Sequence, residues 1–151
     1  MASFRLDPAS IQTMLSTELN SLANNAGAIG AEYDNSLNLF DEAYFRLSVT
    51  FGSNPTAGST IDLFLLAALD GTNYTDYTSG ASGYAPSTSY LGSFVLQAKT
   101  TIHRIDLGTG VNGPFRIPPT KIKLFALNKS GVAFPASGSL IQMLAQGHKS
   151  I

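Results

Sequence analysis

Two histidines, ten carboxylates and no cysteine are the groups from which any chemistry in this 151-residue chain would be built. Without cysteine there is no thiol nucleophile, no zinc–thiolate site and no disulfide framework. His103 sits beside Arg104 and Asp106 in an alternating stretch, and His148 stands in a polar tail. No third imidazole completes a triad of metal ligands, so a structural or solvent-facing role is expected of both. The sequence has no Gly-x-Ser-x-Gly, His-Glu-x-x-His or phosphate-loop pattern, and a hydroxyl without a placed base is a poor nucleophile. Asp41 and Glu42 are adjacent, and successive residues of a strand point to opposite faces, so they form no acid/base pair. Asp70-Gly71-Thr72-Asn73-Tyr74-Thr75-Asp76 offers oxygen-bearing side chains at a spacing of three. Calcium takes about six to eight oxygens, and its helix–loop–helix site ends in a bidentate Glu. This segment has neither feature and is expected to be a turn at a strand end. The expectation is therefore no enzyme, no metal and no cofactor.

What remains is surface chemistry. Residues 71–90 hold Tyr74, Tyr77, Tyr84 and Tyr90 among Ser, Thr, Gly and Asn. Such a mixture gives rigid aromatic contacts at low entropic cost with adaptable hydrogen bonding around them, and suits protein contact or carbohydrate stacking. Charged residues make up only 13% of the chain, about half the usual share. A net charge of −1 supplies no basic field to hold nucleic acid. Seventeen Ser, 13 Thr, 9 Asn and 14 Gly stand where charge would be, yet 44% of residues are hydrophobic, the reverse of the disorder signature. A surface poor in Lys and Glu is typical of interfaces, so an assembled protein is expected. The longest apolar run, Leu63 to Leu69, is seven residues, well short of the ~20 needed to span a bilayer. Residues 1–8 carry no apolar signal region. Synthesis in the cytosol without a membrane partner is the expectation.

The elements that must carry this surface fall into two parts. After Asp7-Pro8, Ile11, Met14, Leu15, Leu19 and Leu22 recur at three and four, a spacing that predicts a helix over 8–24 ending at Asn24-Asn25-Ala26-Gly27. Residues 1–27 are read as an N-terminal arm whose apolar stripe lies in a partner's groove and which the fold does not need. From residue 28 the period changes to two. Phe45, Leu47, Val49 and Phe51 line one face of a strand, and Ile61, Leu63, Leu65, Ala67 and Leu69 line another. On the second strand Phe64, Leu66 and Ala68 predict that both faces are covered. Further strands are expected near 30–38, 91–97, 101–107, 121–127 and 139–146, divided by Gly/Pro/Asn turns. Residues 28–151 are thus read as one all-β domain, an antiparallel jelly-roll-like sandwich.

Several stretches carry a resemblance in their order along the chain. Leu47-Ser48-Val49-Thr50-Phe51, then Pro55-Thr56-Ala57-Gly58-Ser59-Thr60-Ile61-Asp62-Leu63, then Ala68-Leu69-Asp70-Gly71-Thr72-Asn73-Tyr74 resemble small virion proteins of tailed bacteriophages. Leu91-Gly92-Ser93-Phe94, Ile117-Pro118-Pro119-Thr120-Lys121-Ile122-Lys123, and Leu127-Asn128-Lys129-Ser130-Gly131 followed by Ala133-Phe134-Pro135-Ala136-Ser137-Gly138-Ser139 continue it, over roughly residues 44–146. The resemblance implies a non-enzymatic capsid cement or decoration protein on a jelly roll. It further implies a homotrimer that bridges major capsid subunits or other virion proteins on the capsid surface, after synthesis in the host bacterial cytoplasm. The alternative is a carbohydrate- or host-binding module of a tail or head fibre, with residues 71–90 as its site. The candidate contact residues are Ile11, Met14, Leu15, Leu19 and Leu22 on the stripe and Tyr74, Tyr77, Tyr84 and Tyr90 on the loop.

Overall fold

The computed structural model describes residues 11–75 and 89–147 in full and the backbone of 4–8 and 148–150. Its strands are β1 (Phe4–Pro8), β2 (Gln12–Leu15), β3 (Gly27–Ile29), β4 (Tyr33–Asp34), β5 (Glu42–Val49), β6 (Thr60–Ala68), β7 (Tyr90–Val95), β8 (His103–Leu107), β9 (Phe115–Arg116), β10 (Lys121–Lys129) and β11 (Leu140–Ser150). One antiparallel sheet runs β1-β11-β5-β8, with β2 also on β11 and β9 also on β5. The second runs β3-β10-β6-β7, with β4 also on β10.

Strand pairs that share a neighbour, β1/β2, β3/β4 and β8/β9, each count as one position. Numbered along the chain, the eight positions then read 1-8-3-6 in one sheet and 2-7-4-5 in the other. That is the order of two interleaved Greek keys, a jelly roll. Period-two sequence builds it. Ala43, Phe45, Leu47 and Val49 of β5, Ile61 and Leu63 of β6, Ile122, Leu124 and Ala126 of β10, and Ile141, Met143 and Ala145 of β11 fill the space between the sheets. The intervening residues of β6 and β10 make a second apolar cluster on the outer face, with Phe64, Leu66, Phe125 and Leu127 buried against Ile29 and Tyr74. Both faces of β6 are covered, as its sequence predicts.

The N-terminal segment departs from the predicted helix. Residues 12–15 are a strand, paired with β11 through Leu15↔Ile141, Thr13↔Gln142 and Gln12↔Met143, with a register shift between Ile141 and Gln142. Only a single 3-10 turn follows, Thr17–Leu19. The spacing of the stripe suits either arrangement, because a bulged strand and a tight turn also bring Met14, Leu15 and Leu19 to one side. Thr13, Ser16, Thr17 and Asn20 are weak helix formers, and β11 presents an unpaired backbone edge that a strand satisfies and a helix does not. The segment is therefore built into the sandwich: Leu15 and Leu19 are fully buried in the main core and Met14 nearly so. The boundary expected after residue 27 falls inside β3, which begins at Gly27 and pairs with β10.

Candidate functional site

The sandwich has two ends, and they are built differently. At one, the segments 16–26, 50–59, 96–102 and 130–139 meet. Asn128, fully buried, donates from its side-chain amide to the carbonyls of Leu22 (3.0 Å) and Val132 (2.9 Å), and its Oδ1 accepts from the Ser130 N–H. The Ser21 N–H reaches the Pro135 carbonyl, the Thr56 N–H reaches the Ser130 carbonyl, and Phe51 packs edge-on against Phe134 and His103. His103 points inward, 2% exposed, with Nε2 3.0 Å from the Gln97 carbonyl. The imidazole ties this end of the sandwich to the Gln97 carbonyl. The end is closed.

The other end gathers the segments 35–41, 69–75 and 108–120. They meet where Lys121 pairs with both Asp34 and Ala68 and where Glu42 pairs with Gln146 and Arg116. Of the large apolar side chains exposed among the described residues, Leu37 (82%), Leu39 (63%), Leu69 (86%) and Val111 (fully exposed) stand here. Each sits inside turn chemistry: Ser36-Leu37-Asn38-Leu39, Leu69-Asp70-Gly71 and Gly110-Val111-Asn112-Gly113. An apolar residue in such a turn has no sheet face to bury it, and that is the sequence signal that finds Leu37, Leu39 and Val111; Leu69, expected on the strand face with Ala67, lies one residue past the end of β6 and is exposed. The predicted contact residues did not include them.

The segment 35–40 is rigidly held. Asn35 is fully buried, donates to the carbonyls of Phe40 (2.7 Å) and Pro118 (2.8 Å), and accepts from the Phe40 N–H (3.0 Å). Its own N–H goes to the Thr120 carbonyl, while its carbonyl takes the Leu39 N–H. Leu39 is thereby fixed at φ +54°, a left-handed conformation that costs a side-chain-bearing residue about 1–2 kcal/mol.

Asp70 closes the next segment. Its carboxylate accepts the N–H groups of Asn73 and Thr72 and the Asn73 side-chain amide, at 2.7–2.8 Å. The Asn73 N–H, then its side chain, then the Thr72 N–H hold its pKa down from 3.8 to about 2. These oxygens already serve as acceptors within the turn, and among the described residues no cluster of three or more His, Asp or Glu is placed to hold a metal.

The outer face of the first sheet carries a concavity of about 320 Å³ lined by Ile11, Tyr44, Arg46, Asp106, Gln142 and Leu144. Arg46 grips Asp106 across the strands in a two-pronged ion pair, Nε–Oδ1 2.6 Å and Nη2–Oδ2 2.9 Å. That pairing lowers the pKa of Asp106 and raises that of Arg46. Of the predicted stripe, Leu22 is half-buried against the core, and Ile11, 61% exposed, is the member that faces outward, into this concavity.

The predicted tyrosines divide. Tyr74 lies on the outer face of the second sheet, its hydroxyl donating to Glu32 at 2.5 Å and its ring 4.4 Å beneath the Lys123 ammonium. The Tyr74 hydroxyl, followed by Lys121, lowers the Glu32 pKa. Tyr90, 60% exposed, packs edge-on against Phe64 and shares a hydrogen bond with Ser93, which in turn donates to Asp62. Both tyrosines flank the cluster of Phe64, Leu66, Phe125 and Leu127. Tyr77 and Tyr84 lie outside the described residues.

No family model matches this sequence, and neither does any curated protein. Two solved structures are similar in chain course. One is from Desmodium yellow mottle tymovirus, with 11% identity over 99% of this chain and 88% of that one, at a TM-score of 0.41. The other is from turnip yellow mosaic virus, with 13% identity over 100% of this chain and 83% of that one, at a TM-score of 0.40. Neither likeness is high enough to carry a role from one protein to the other.

Proposed function

We propose that this chain is a non-enzymatic virion structural protein of the capsid cement or decoration type. It bridges neighbouring shell subunits with the end of the sandwich that carries Leu37, Leu39, Leu69 and Val111. The observation that carries this reading is the gathering of four exposed apolar side chains at one end of a chain with so little surface charge. Water-exposed apolar groups in one place are favourable only when a partner covers them. The bacteriophage resemblance of residues 44–146 supplies the class of partner, a capsid protein on the virion surface, with a homotrimer as the expected assembly. Binding only the assembled shell would stabilise it by about 2.7 kcal/mol per site at a hundredfold excess over the dissociation constant. The test is co-sedimentation with undecorated heads. The intact chain is expected to pellet with them and Leu69→Asp/Val111→Asp to remain in the supernatant; equal binding by both removes the loop end from the mechanism.

A second reading, a carbohydrate- or host-binding module, draws on Tyr90, whose exposed ring lies beside the Ser93–Asp62 hydrogen-bond pair. An aromatic face next to fixed polar groups suits a sugar ring. Glycan-array binding that is lost in Tyr90→Ala would favour it over the cement reading.

A further inference from the structure

We infer that Asn112 modifies itself in the free chain: the Gly113 backbone nitrogen attacks its side-chain amide, ammonia leaves, and a carboxylate takes its place beside Val111.

The loop joins the groups that this reaction needs. Asn112-Gly113 is the one place in the sequence where glycine follows asparagine, so the attacking nitrogen has no side chain to hinder its approach. Asn112 is exposed, and among the described residues no hydrogen bond holds its side-chain amide. Other asparagines are tied down. Asn35 and Asn128 are fully buried with both ends of the amide bonded, and the Asn73 amide is held by Asp70. Asp70 also precedes a glycine, but its carboxylate accepts hydrogen bonds from Thr72 and Asn73, and a carboxylate ion is a poor electrophile.

The backbone leaves room for the ring. Gly113 sits at φ +68°, and a side chain built on it or on Gly110 would meet nothing within 4 Å. The Gly113 N–H donates to the Gly110 carbonyl at 3.0 Å, and this bond must open before the nitrogen attacks. It is a single surface turn bond, and water replaces it on both groups at little cost.

In the first step the Gly113 nitrogen gives up its proton and bonds to the side-chain carbonyl carbon of Asn112. The bond from that carbon to the amide nitrogen breaks, and ammonia departs with the proton. The product is a five-membered cyclic imide. Water then opens the imide at either carbonyl. Opening at the side-chain carbonyl gives aspartate, and opening at the backbone carbonyl gives isoaspartate, whose main chain is longer by one carbon. Either product places a negative charge next to fully exposed Val111. The consequence for assembly, though not the reaction, rests on the proposed capsid contact. A charge among apolar groups that a partner must cover is costly to bury, so an aged subunit binds the shell less well than a fresh one.

The reaction is read on the isolated full chain, with no capsid present. Wild type and Asn112→Gln are held for days in mildly acidic and in mildly alkaline buffer, then digested with trypsin beside fresh samples. Cleavage after Arg104 and Arg116 releases residues 105–116, in which Asn112 is the only amide side chain. A mass gain of one dalton in that peptide therefore reports this residue. The wild type is expected to convert severalfold faster in the alkaline buffer, with isoaspartate in excess of aspartate. Asn112→Gln is expected to stay at the level of the fresh sample, because glutamine closes a larger ring far more slowly. The free peptide of residues 105–116 is the reference, and the folded chain is expected to convert within severalfold of its rate. A folded chain that stays unmodified while the free peptide converts overturns the inference, because the turn bond then protects the site. Aged and fresh samples are next co-sedimented with undecorated heads, beside Leu69→Asp/Val111→Asp. Aged wild type is expected to pellet less than fresh, and aged Asn112→Gln as fully as fresh. Equal pelleting of aged and fresh wild type, with Leu69→Asp/Val111→Asp left in the supernatant, removes the consequence for assembly. Equal pelleting of all of them removes the capsid contact at this end, while the peptide masses alone decide the reaction.

Discussion

The two ends of this jelly roll draw on the same turn vocabulary and reach opposite results. At the closed end, buried Asn128 reaches across to Leu22 and into its own following loop at Val132, and four connections are drawn into one hydrogen-bonded cap over Leu19 and Phe134. At the open end, buried Asn35 also reaches across, to Pro118, yet it fixes its own loop so that Leu37 and Leu39 stand in water. One asparagine pulls apolar groups in, and the other holds them out. The difference teaches that loop rigidity and loop burial are independent. A rigid loop that buries its apolar residues stabilises the fold, and a rigid loop that exposes them is prepared for a partner.

The strongest way to break this contrast is to damage the closed end. Leu19→Ala leaves a cavity where β2's turn enters the core, and thermal unfolding should register a loss of about 2–5 kcal/mol. Deletion of residues 1–27 is expected to abolish the fold outright, since it removes Leu15, Leu19 and two strands on β11. A truncated chain with intact β circular dichroism would show that the N-terminal segment is an arm after all. Asn128→Ala removes one of two donors from each of the Leu22 and Val132 carbonyls and leaves the Ser130 N–H without its acceptor, at about 1–3 kcal/mol for that unsatisfied group. Its surviving folded fraction should still co-sediment with undecorated heads.

Asn35→Ala tests both properties together. Denaturant unfolding should show a cost of about 1–3 kcal/mol from the unpaired Pro118 and Phe40 groups. Co-sedimentation with undecorated heads should also weaken, because Leu39 is no longer held. Equal binding by wild type and variant would mean that the fixed loop geometry is irrelevant to the capsid contact.

At the open end alone, Leu69→Asp and Val111→Asp should move stability by no more than about 0.5 kcal/mol, the range of surface changes. The same variants should lose the capsid contact. A large fall in thermal midpoint would show that these residues serve the fold.

The smallest effects concern Asp70. Its carboxyl is held at about 2 against 3.8 in the unfolded chain. A depressed folded pKa favours the folded state once the group is ionised. That contribution is complete above pH 3.8 and drains away as pH falls toward 2. Acid unfolding of Asp70→Asn should therefore be flatter between those limits, with its deficit against the wild type present at neutral pH and vanishing as pH falls toward 2. Calcium should leave the melting midpoint of the wild type where a chelator leaves it. A rise of several degrees would mean that the ion can displace the Asn73 and Thr72 donors.

The period-two runs at 42–49, 60–68, 121–129 and 140–146 were legible because alternation is local: neighbouring residues alone say which face each side chain takes. The scarcity of charge and the turn clusters were legible for the same reason, and together they gave an all-β sandwich with an interface-like surface. The stripe at residues 11–22 was not, since three-and-four spacing fits a helix or a bulged strand with a turn. What decided between them was the free backbone edge of β11, more than 120 residues away. Nor could sequence assign Leu37, Leu39, Leu69 and Val111 to one place, because they come together only through the order in which eight strand positions are laid side by side. Side-chain alternation is fixed by covalent geometry within a few residues, whereas the choice of partner strand, and with it which loops share an end, is settled by packing across the whole chain.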